Sequence, residues 1–343
     1  MVFEYLILLI FILVNIFFSI NFEKINAFQI NLDIPDSKRK FHKKTTPRAG
    51  GILLSINIIL YLIIITNFKN LINLDLIFHS YYSLNIFFIS YFMIFILGYF
   101  DDKFNLNPNL KFCLIAIIIT FLFLFDKNTL ISFLQFSFYQ KKIDLGFVSI
   151  FFAIFCFLVY LNAFNMFDGI NLQATLYSLI ILIFITFFLV DILLIKVLII
   201  FLFFFTYLNY KNKSFLGDSG SLSLSFIIGY ILVILYNLNY IEFADDVVIF
   251  MIIPGIDLIR LFIFRLLNKK NPLRSDRNHL HHYLISKYSY KTTLFIILML
   301  IIFPILLNYL GFKNIFIFVI STIIYFLILF SASNSKKNIL FFW

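Results

Sequence analysis

The chain has 343 residues, of which 62% are hydrophobic, 21% are aromatic and only 13% are charged. Soluble globular domains carry about 25% charged residues, so this composition excludes them and, with a mean hydropathy of +1.01, indicates a polytopic membrane protein. The formal net charge is +10. The basic residues follow the predicted membrane topology, which argues against nucleic acid as a partner.

Apolar stretches recur at about the 20-residue length that a helix needs to cross a hydrocarbon core. No alternating strand pattern is present, so we predict an all-α polytopic membrane protein rather than a barrel. The predicted spans are 2–20, 50–66, 84–100, 110–125, 147–161, 174–190, 192–208, 221–238, 245–266, 293–309 and 315–331. These eleven spans form one integral membrane domain, residues 1–343, and the count falls to ten if the sixth and seventh are not separated near Asp191.

The distribution of Lys and Arg predicts the orientation of these spans. Segments on the side of the carboxyl terminus hold 21 of the 27 basic residues, and the opposite segments hold 6. Because cytoplasmic loops are enriched in Lys and Arg, we expect the amino terminus outside and the carboxyl terminus inside. All five polar strings of the chain then face the cytoplasm.

The first polar string is the basic loop 33–51, which contains Arg39 and His42 and ends in Gly50-Gly51. Part of this charge is a topology signal that attracts anionic lipids. The loop can also bind phosphate, because Arg and His donate charge-assisted hydrogen bonds.

The second string is the carboxylate pair Asp101-Asp102 at the end of the third span, followed by Lys111. Adjacent carboxylates repel each other, so a cation or a metal-bound phosphate would stabilise the pair. A solvated acidic pair at a helix end is the structural alternative.

The third string places Asn162, Asn165 and Asp168 at intervals of three residues, followed by Gly169 and Asn171. Side chains at this spacing share one helix face, where they offer oxygens to a hard metal ion and hydrogen bonds to the edge of a base. A polar helix cap followed by a turn is the alternative, although it does not account for three such groups.

The fourth string, Gly217-Asp218-Ser219-Gly220, is similar to the active-site string of serine proteases. A nucleophilic serine needs a histidine base and an orienting acid, whereas this string lies in a short loop between two spans. We prefer Asp218 as a metal ligand, with glycines that let a diphosphate approach the backbone. A plain tight turn is the remaining alternative.

The fifth string lies in the longest inner loop, where Arg265 and Arg277 precede His279, His281 and His282. Three histidines in four residues suggest zinc, but they stand among cations and no cysteine is near. A cationic, hydrogen-bonding clamp for phosphate is the simpler interpretation.

In this order, the five strings resemble those of the polyprenyl-phosphate N-acetylhexosamine-1-phosphate transferases. This family includes the enzymes that initiate O-antigen and enterobacterial common antigen synthesis and the peptidoglycan translocase. The matching strings are Asp33-x-Pro-x-x-x-Arg39-x-x-His42 with Pro47 and Gly50-Gly51, Asp101-Asp102, Asn162-x-x-Asn165-x-x-Asp168-Gly169, Gly217-Asp218-Ser219, and Asp276-Arg277-x-His279-Leu280-His281-His282. The histidine string resembles the sugar-initiating branch more than the peptidoglycan branch.

One departure from the family concerns the third string. The family usually continues Asp-Gly-x-Asp-Gly-Leu, whereas this chain reads Asp168-Gly169-Ile170-Asn171-Leu172-Gln173 and so lacks a carboxylate and a glycine. If the second acid of the family recognises uridine, Asn171 still donates and accepts hydrogen bonds.

The resemblance implies transfer of a sugar 1-phosphate from a UDP-N-acetylhexosamine to undecaprenyl phosphate, with release of UMP, at the cytoplasmic face of the bacterial inner membrane. Magnesium, with manganese as the alternative, would be held by Asp218 with Asn165 or Asp102, and an oligomer is compatible with the sequence. The implied catalytic residues are Asp101, Asp102 and Asp168. The implied substrate-binding residues are Arg39, His42, Lys111, Asn162, Asn171, Arg265, Arg277, His279, His281 and His282.

Two other functions remain open at this stage. Within the same family, the alternative is a peptidoglycan-type phospho-MurNAc-pentapeptide transferase. In another class, a secondary transporter of an anionic solute would carry ionisable groups near the bilayer midplane. The predicted spans are nearly free of charge, with the exceptions Asp191, Lys196, Asp257 and Arg260. Asp257 and Arg260 are one helical turn apart and pair or point into the site.

Overall fold

The computed structural model describes residues 2–25, 32–33, 45–71, 74–272 and 276–333. These residues form twelve α-helices and two small antiparallel sheets of two strands each. The helices are α1 (Val2–Ile25), α2 (Gly50–Asn67), α3 (Tyr81–Phe104), α4 (Pro108–Phe125), α5 (Ser149–Phe167), α6 (Gln173–Phe188), α7 (Leu193–Tyr210), α8 (Gly217–Asn237), α9 (Ala244–Leu267), α10 (Leu280–Lys287), α11 (Tyr290–Tyr309) and α12 (Asn314–Ser333). The strands are β1 (Leu32–Asp33) paired with β2 (Thr46–Pro47), and β3 (Phe133–Phe136) paired with β4 (Tyr139–Asp144).

The all-α membrane fold predicted from composition is confirmed. Among the described residues, ten helices are long and apolar enough to cross a membrane, and α6 is a shorter apolar helix. The predicted break near Asp191 is present, because α6 ends at Phe188 and α7 begins at Leu193. Asp191 itself pairs with Lys196 at 2.7 Å.

Helix α8 forms the centre of the bundle. Residues 219–236 of α8 are all buried, and the helix packs against α2, α3 and α5. Its first turns are rich in Gly and Ser, and small residues let helices approach closely where lipid supplies no hydrophobic driving force between them. The amino-terminal end of α8 therefore lies at the point where several helix ends meet.

Glycines of α2 and α3 permit this close packing. A Cβ on Gly98 would lie 2.5 Å from the Cα of Ser219, and a Cβ on Gly51 would lie 2.6 Å from the backbone nitrogen of Gly220. The backbone N–H of Gly51 also donates to the carbonyl of Leu216 at 3.2 Å. These contacts fix the start of α8 against the start of α2 and against α3.

At the other end of the bundle, acidic residues cap helices. Asp75 accepts hydrogen bonds from the first backbone N–H groups of α7, at Leu193 and Leu194. Asp246 accepts from the backbone N–H of Phe243, the residue that precedes α9. A carboxylate at a helix start satisfies otherwise unpaired donors, so these acids have structural partners away from the polar strings.

Candidate active site

All five polar strings contribute to the wall of one cavity of about 460 Å³. The cavity lies where the ends of α3, α5 and α7 meet the starts of α8 and α11 and the loop before α2. Its polar lining residues are Asp33, Arg48, Asp102, Asn165, Asp168, Asn171, Asn209, Asn212, Asp218, Ser221, His282 and Tyr290. A cavity with several convergent polar groups is the usual form of a small-molecule site.

Asp102 caps the start of α8. Its two carboxylate oxygens accept hydrogen bonds from the backbone N–H groups of Asp218 and Ser219, both at 2.9 Å. Gly217 precedes them with a φ of +76°, a conformation that glycine adopts without strain. Arg48 donates to the same carboxylate at 3.1 Å and to the carbonyl of Asp102 at 2.9 Å. Asp102 thus fixes the backbone that carries Asp218.

Arg48 links this cap to the first polar string. Its guanidinium also contacts the carboxylate of Asp33 at 2.5 Å. Burial opposes the charge, but the carboxylates of Asp102 and Asp33 raise the pKa of Arg48 above its ordinary value. Arg48 is therefore a permanent cation in the cavity wall.

Lys111 bridges three of the predicted site residues. Its ammonium group lies 2.6 Å from Asp101, 3.0 Å from Asp218 and 3.2 Å from the amide oxygen of Asn165. The other oxygen of Asp101 accepts from the backbone N–H of Leu106 at 2.8 Å. Asp101 and Lys111 do not line the cavity. Lys111 contacts the carboxylate of Asp218 on the side away from the cavity, and Asp101 holds Lys111 in place.

The amides of the third string differ in position. Asn165 donates to Asp218 at 2.6 Å and to the hydroxyl of Ser221 at 2.7 Å, and it lines the cavity. Asn162 donates to the carbonyl of Leu158 in its own helix at 2.7 Å and does not line the cavity. Of these two asparagines, Asn165 alone can contact a molecule in the cavity.

Among the described acids outside the membrane-spanning helices, Asp168 has the pKa that is shifted furthest from its ordinary value. Burial, with the nearby carboxylates of Asp218 and Asp102, raises its pKa to about 8. Within the described part of the chain its carboxyl group has no hydrogen-bond donor that would offset this effect. A bound cation would favour the ionised form of the group.

These residues meet the requirements of a magnesium ion that is shared with a substrate. In the described ranges, no group of three His, Cys, Asp or Glu side chains could hold a metal by itself. Magnesium, however, usually binds one or two carboxylates together with phosphates and water. The carboxylate of Asp218, the adjacent amide of Asn165 and the carboxyl group of Asp168, once it is ionised, provide oxygens that fit such an ion.

Asn171 connects the third string to the loop between α7 and α8. Its amide donates to the side chain of Asn212 at 2.6 Å and to the carbonyl of Asn209 at 3.2 Å. The hydroxyl of Tyr290 donates to the carbonyl of Asn171 at 2.5 Å. These three partners also line the cavity, and the sequence analysis missed them because each is a lone polar residue near a helix end.

Leu172 occupies the position at which the related family usually has glycine. It adopts a φ of +69°, which costs a residue with a Cβ about 1–2 kcal/mol. The backbone N–H of Leu172 donates to the side chain of Asn209 at 2.6 Å, and the leucine side chain is buried. The chain thus makes this turn with a leucine in the left-handed region.

The three histidines of the fifth string have different surroundings. His282 lines the cavity. His281 is buried beside Gly169, where a Cβ would lie 2.1 Å from its ring. Burial, with the neighbouring His279 and His282, lowers the pKa of His281 well below its usual range. His279 contacts Asp257 at 2.9 Å, so the predicted clamp presents one imidazole to the cavity.

The basic residues predicted to bind substrate are more widely spread. Arg265 is buried and pairs with Asp276 at 2.8 Å, while Arg277 is exposed. Neither lines the cavity. Arg39 and His42 lie outside the described residues. Arg48, which belongs to the first string but was not singled out from the sequence, lines the cavity instead.

Known proteins resemble this chain along most of its length. The sequence profile of glycosyl transferase family 4 matches residues 84–236. An undecaprenyl-phosphate alpha-N-acetylglucosaminyl 1-phosphate transferase of Thermotoga maritima is 26% identical over 294 residues, which cover 84% of this chain and 83% of the relative. A probable undecaprenyl-phosphate N-acetylglucosaminyl 1-phosphate transferase of Bacillus subtilis is 25% identical over 261 residues, 73% of this chain and 68% of the relative.

Proposed function

Because the chain belongs to the polyprenyl-phosphate N-acetylhexosamine-1-phosphate transferase family, we propose that it transfers N-acetylhexosamine 1-phosphate from a UDP-sugar to undecaprenyl phosphate. The lipid-linked diphosphosugar that forms would initiate a cell-surface polysaccharide, and UMP would be released. The observation that carries this proposal is the meeting of all five polar strings around one cavity at the helix ends.

The cavity offers different chemistry on its two sides. Carboxylates of Asp102 and Asp218 lie near the cationic Arg48, a combination that suits a diphosphate and its counter-ion. Asn171, Asn209 and Asn212 provide neutral donors and acceptors, which suit the edge of a base. A nucleoside diphosphate sugar carries both kinds of group.

Asp218 and Asn165 would hold magnesium together with the diphosphate. When bound, the ion supplies charge neutralisation for the diphosphate. Asp102 acts through the backbone by holding the start of α8, and Lys111 and Asn165 keep the carboxylate of Asp218 in place.

In the reaction, a phosphate oxygen of the lipid forms a bond to the β-phosphorus while the bond from that phosphorus to the UMP oxygen breaks. A phosphate monoester has a second pKa of about 6, so the attacking group is already largely ionised at neutral pH. A general base is therefore unnecessary, and we assign Asp101 to holding Lys111 through their 2.6 Å ion pair. Alignment and charge neutralisation supply most of the catalysis.

A cytoplasmic orientation of the cavity is part of the proposal. The loops on the cavity side of the predicted topology carry the excess of basic residues, which supports this orientation. The cytoplasmic origin of a nucleotide sugar supports it as well.

A panel of UDP-sugars tests the proposed function. Purified protein in nanodiscs is incubated with undecaprenyl phosphate, magnesium and each UDP-sugar in turn, and UMP is measured. We expect a UDP-N-acetylhexosamine to give UMP and an equal amount of lipid-linked sugar. Turnover of UDP-MurNAc-pentapeptide alone would assign the chain to the peptidoglycan-type reaction. Uptake of a UDP-sugar into sealed vesicles without UMP release would replace the transferase by a transporter.

A further inference from the structure

A buried carboxylate outside the cavity lies behind the histidine string. Asp257 of α9 is 5% exposed and accepts hydrogen bonds from Arg260 at 2.7 Å and from the hydroxyl of Tyr325 at 2.5 Å. It also contacts Nδ1 of His279 at 2.9 Å and accepts from the backbone N–H of Leu280 at 3.3 Å. Four groups from three parts of the chain thus converge on one side chain.

This cluster joins α9 and α12 to the segment before α10. Arg260 donates to the hydroxyl of Tyr325 at 2.9 Å and to the carbonyl of Asn278 at 2.5 Å. Burial of an isolated carboxylate is expensive, and the adjacent guanidinium offsets that cost. Ionisable groups within apolar helices usually serve a function, and here the partners of Asp257 lead toward the cavity.

The imidazole rings continue from Asp257 to the active site. The ring of His279 stacks on that of His281 with centroids 5.4 Å apart and an interplanar angle of 8°. The ring of His281 lies 4.4 Å from that of His282, which lines the cavity. His281 also packs against Gly169, the neighbour of Asp168. Contacts between the rings thus connect His279 to two residues that line the cavity, His282 and Gly169.

We propose that Asp257 is the positioning residue of the histidine string. By accepting the Nδ1 proton of His279, the carboxylate fixes the tautomer and the plane of that ring, as carboxylates do for metal-bound histidines. The stacked ring of His281 passes this orientation to His282 at the cavity. The kinetic consequence rests on the proposed transferase function, whereas the tautomer of His279 does not.

The wild-type protein provides the first test. Nitrogen-15 NMR of histidine-labelled protein in nanodiscs distinguishes protonated from unprotonated ring nitrogens, and the signals of His279 are those absent from a His279→Gln variant. We expect a protonated Nδ1. An unprotonated Nδ1 would overturn the proposal, whether or not the protein turns over any UDP-sugar.

A double-mutant cycle provides the second test. Asp257→Asn should lower kcat/KM by about 10- to 100-fold, the usual effect of losing the partner that orients a functional histidine. In the His279→Gln background the same change should have less than about a threefold effect, because residues that act as a unit are not additive. Equal losses in both backgrounds would refute a role through His279.

Asp246→Asn is the matched control in α9. It weakens the hydrogen bond to the backbone N–H of Phe243 at the far end of the same helix and should lower thermal stability without changing kcat/KM. If Asp257→Asn does not fold, the wild-type spectrum decides the proposal alone. If the wild type releases no UMP from any UDP-sugar, the proposed function fails while the spectrum still reports on Asp257.

Discussion

Replacing Asp218 with asparagine separates the proposed metal-binding role of this residue from its role in the fold. The oxygen Oδ1 of Asp218 accepts from Asn165 at 2.6 Å and from Lys111 at 3.0 Å. An amide oxygen at the same position can still accept both hydrogen bonds. Lys111 also keeps its 2.6 Å ion pair with Asp101, so the packing around the start of α8 should survive.

The expected loss of stability is small. Charge-assisted hydrogen bonds contribute about 1 kcal/mol more than neutral ones, and a carboxylate in the first turn of a helix adds about 0.3–1 kcal/mol. Asp218→Asn should therefore cost about 1–2 kcal/mol and lower the unfolding temperature by only a few degrees.

The expected loss of activity is large. Loss of a residue that merely orients a metal ligand already costs about 10- to 100-fold in metal affinity or activity, so loss of the ligand itself should lower kcat/KM by at least about 100-fold. UMP release is measured at saturating lipid across a range of magnesium concentrations. Asp144→Asn, a change in the exposed β3–β4 hairpin, serves as the control. Activity of Asp218→Asn within about tenfold of wild type at high magnesium would remove Asp218 from the metal site.

Three further predictions concern packing, protonation and orientation. Gly98→Ala places a Cβ 2.5 Å from the Cα of Ser219 and should destabilise the protein by about 1–3 kcal/mol. Gly255→Ala in α9 meets nothing within 4 Å and should stabilise the protein by about 0.5–1 kcal/mol. Equal shifts of the two variants in denaturant unfolding would contradict the close packing of α3 on α8. Burial and nearby carboxylates raise the pKa of Asp168 to about 8, so calorimetry should show stronger magnesium binding at about pH 9, where the group is ionised, than at about pH 7. Asp168→Asn should weaken this pH dependence of magnesium affinity, and equal affinity of the wild type at both pH values would exclude Asp168 as its cause. In a variant without native cysteines, Arg277→Cys should resist an impermeant thiol reagent in intact cells and react in inverted vesicles, and labelling of intact cells would reverse the proposed orientation.

The sequence predicted the membrane fold well, because a helix in lipid must satisfy its own backbone and so leaves a long apolar run. The break at Asp191 and the pairing of Asp257 with Arg260 were also within reach of sequence reasoning. The separate helix α10 was not predicted, since its eight residues are amphipathic and too short to give a span signal.

The arrangement of the candidate site was less accessible from the sequence. A motif indicates which residues are polar but not what each contacts, so Asp102 as a cap of α8 and Asn162 as a partner of its own helix backbone became visible only in three dimensions. Arg48 was one cation among several in the first loop, and only the fold shows that it lines the cavity. Leu172 at a positive φ could not be anticipated, because a buried leucine gives no turn signal.

In the proposed reaction a phosphosugar, rather than a sugar alone, passes to the lipid. The most direct measurement follows the β-phosphate of a UDP-N-acetylhexosamine that is radiolabelled at that position, in the presence of undecaprenyl phosphate and magnesium. We predict that the label moves into the lipid fraction in proportion to the UMP released, and that label at the α-phosphate stays in UMP. Recovery of the β-label in aqueous UDP, with sugar on the lipid, would contradict the proposed reaction.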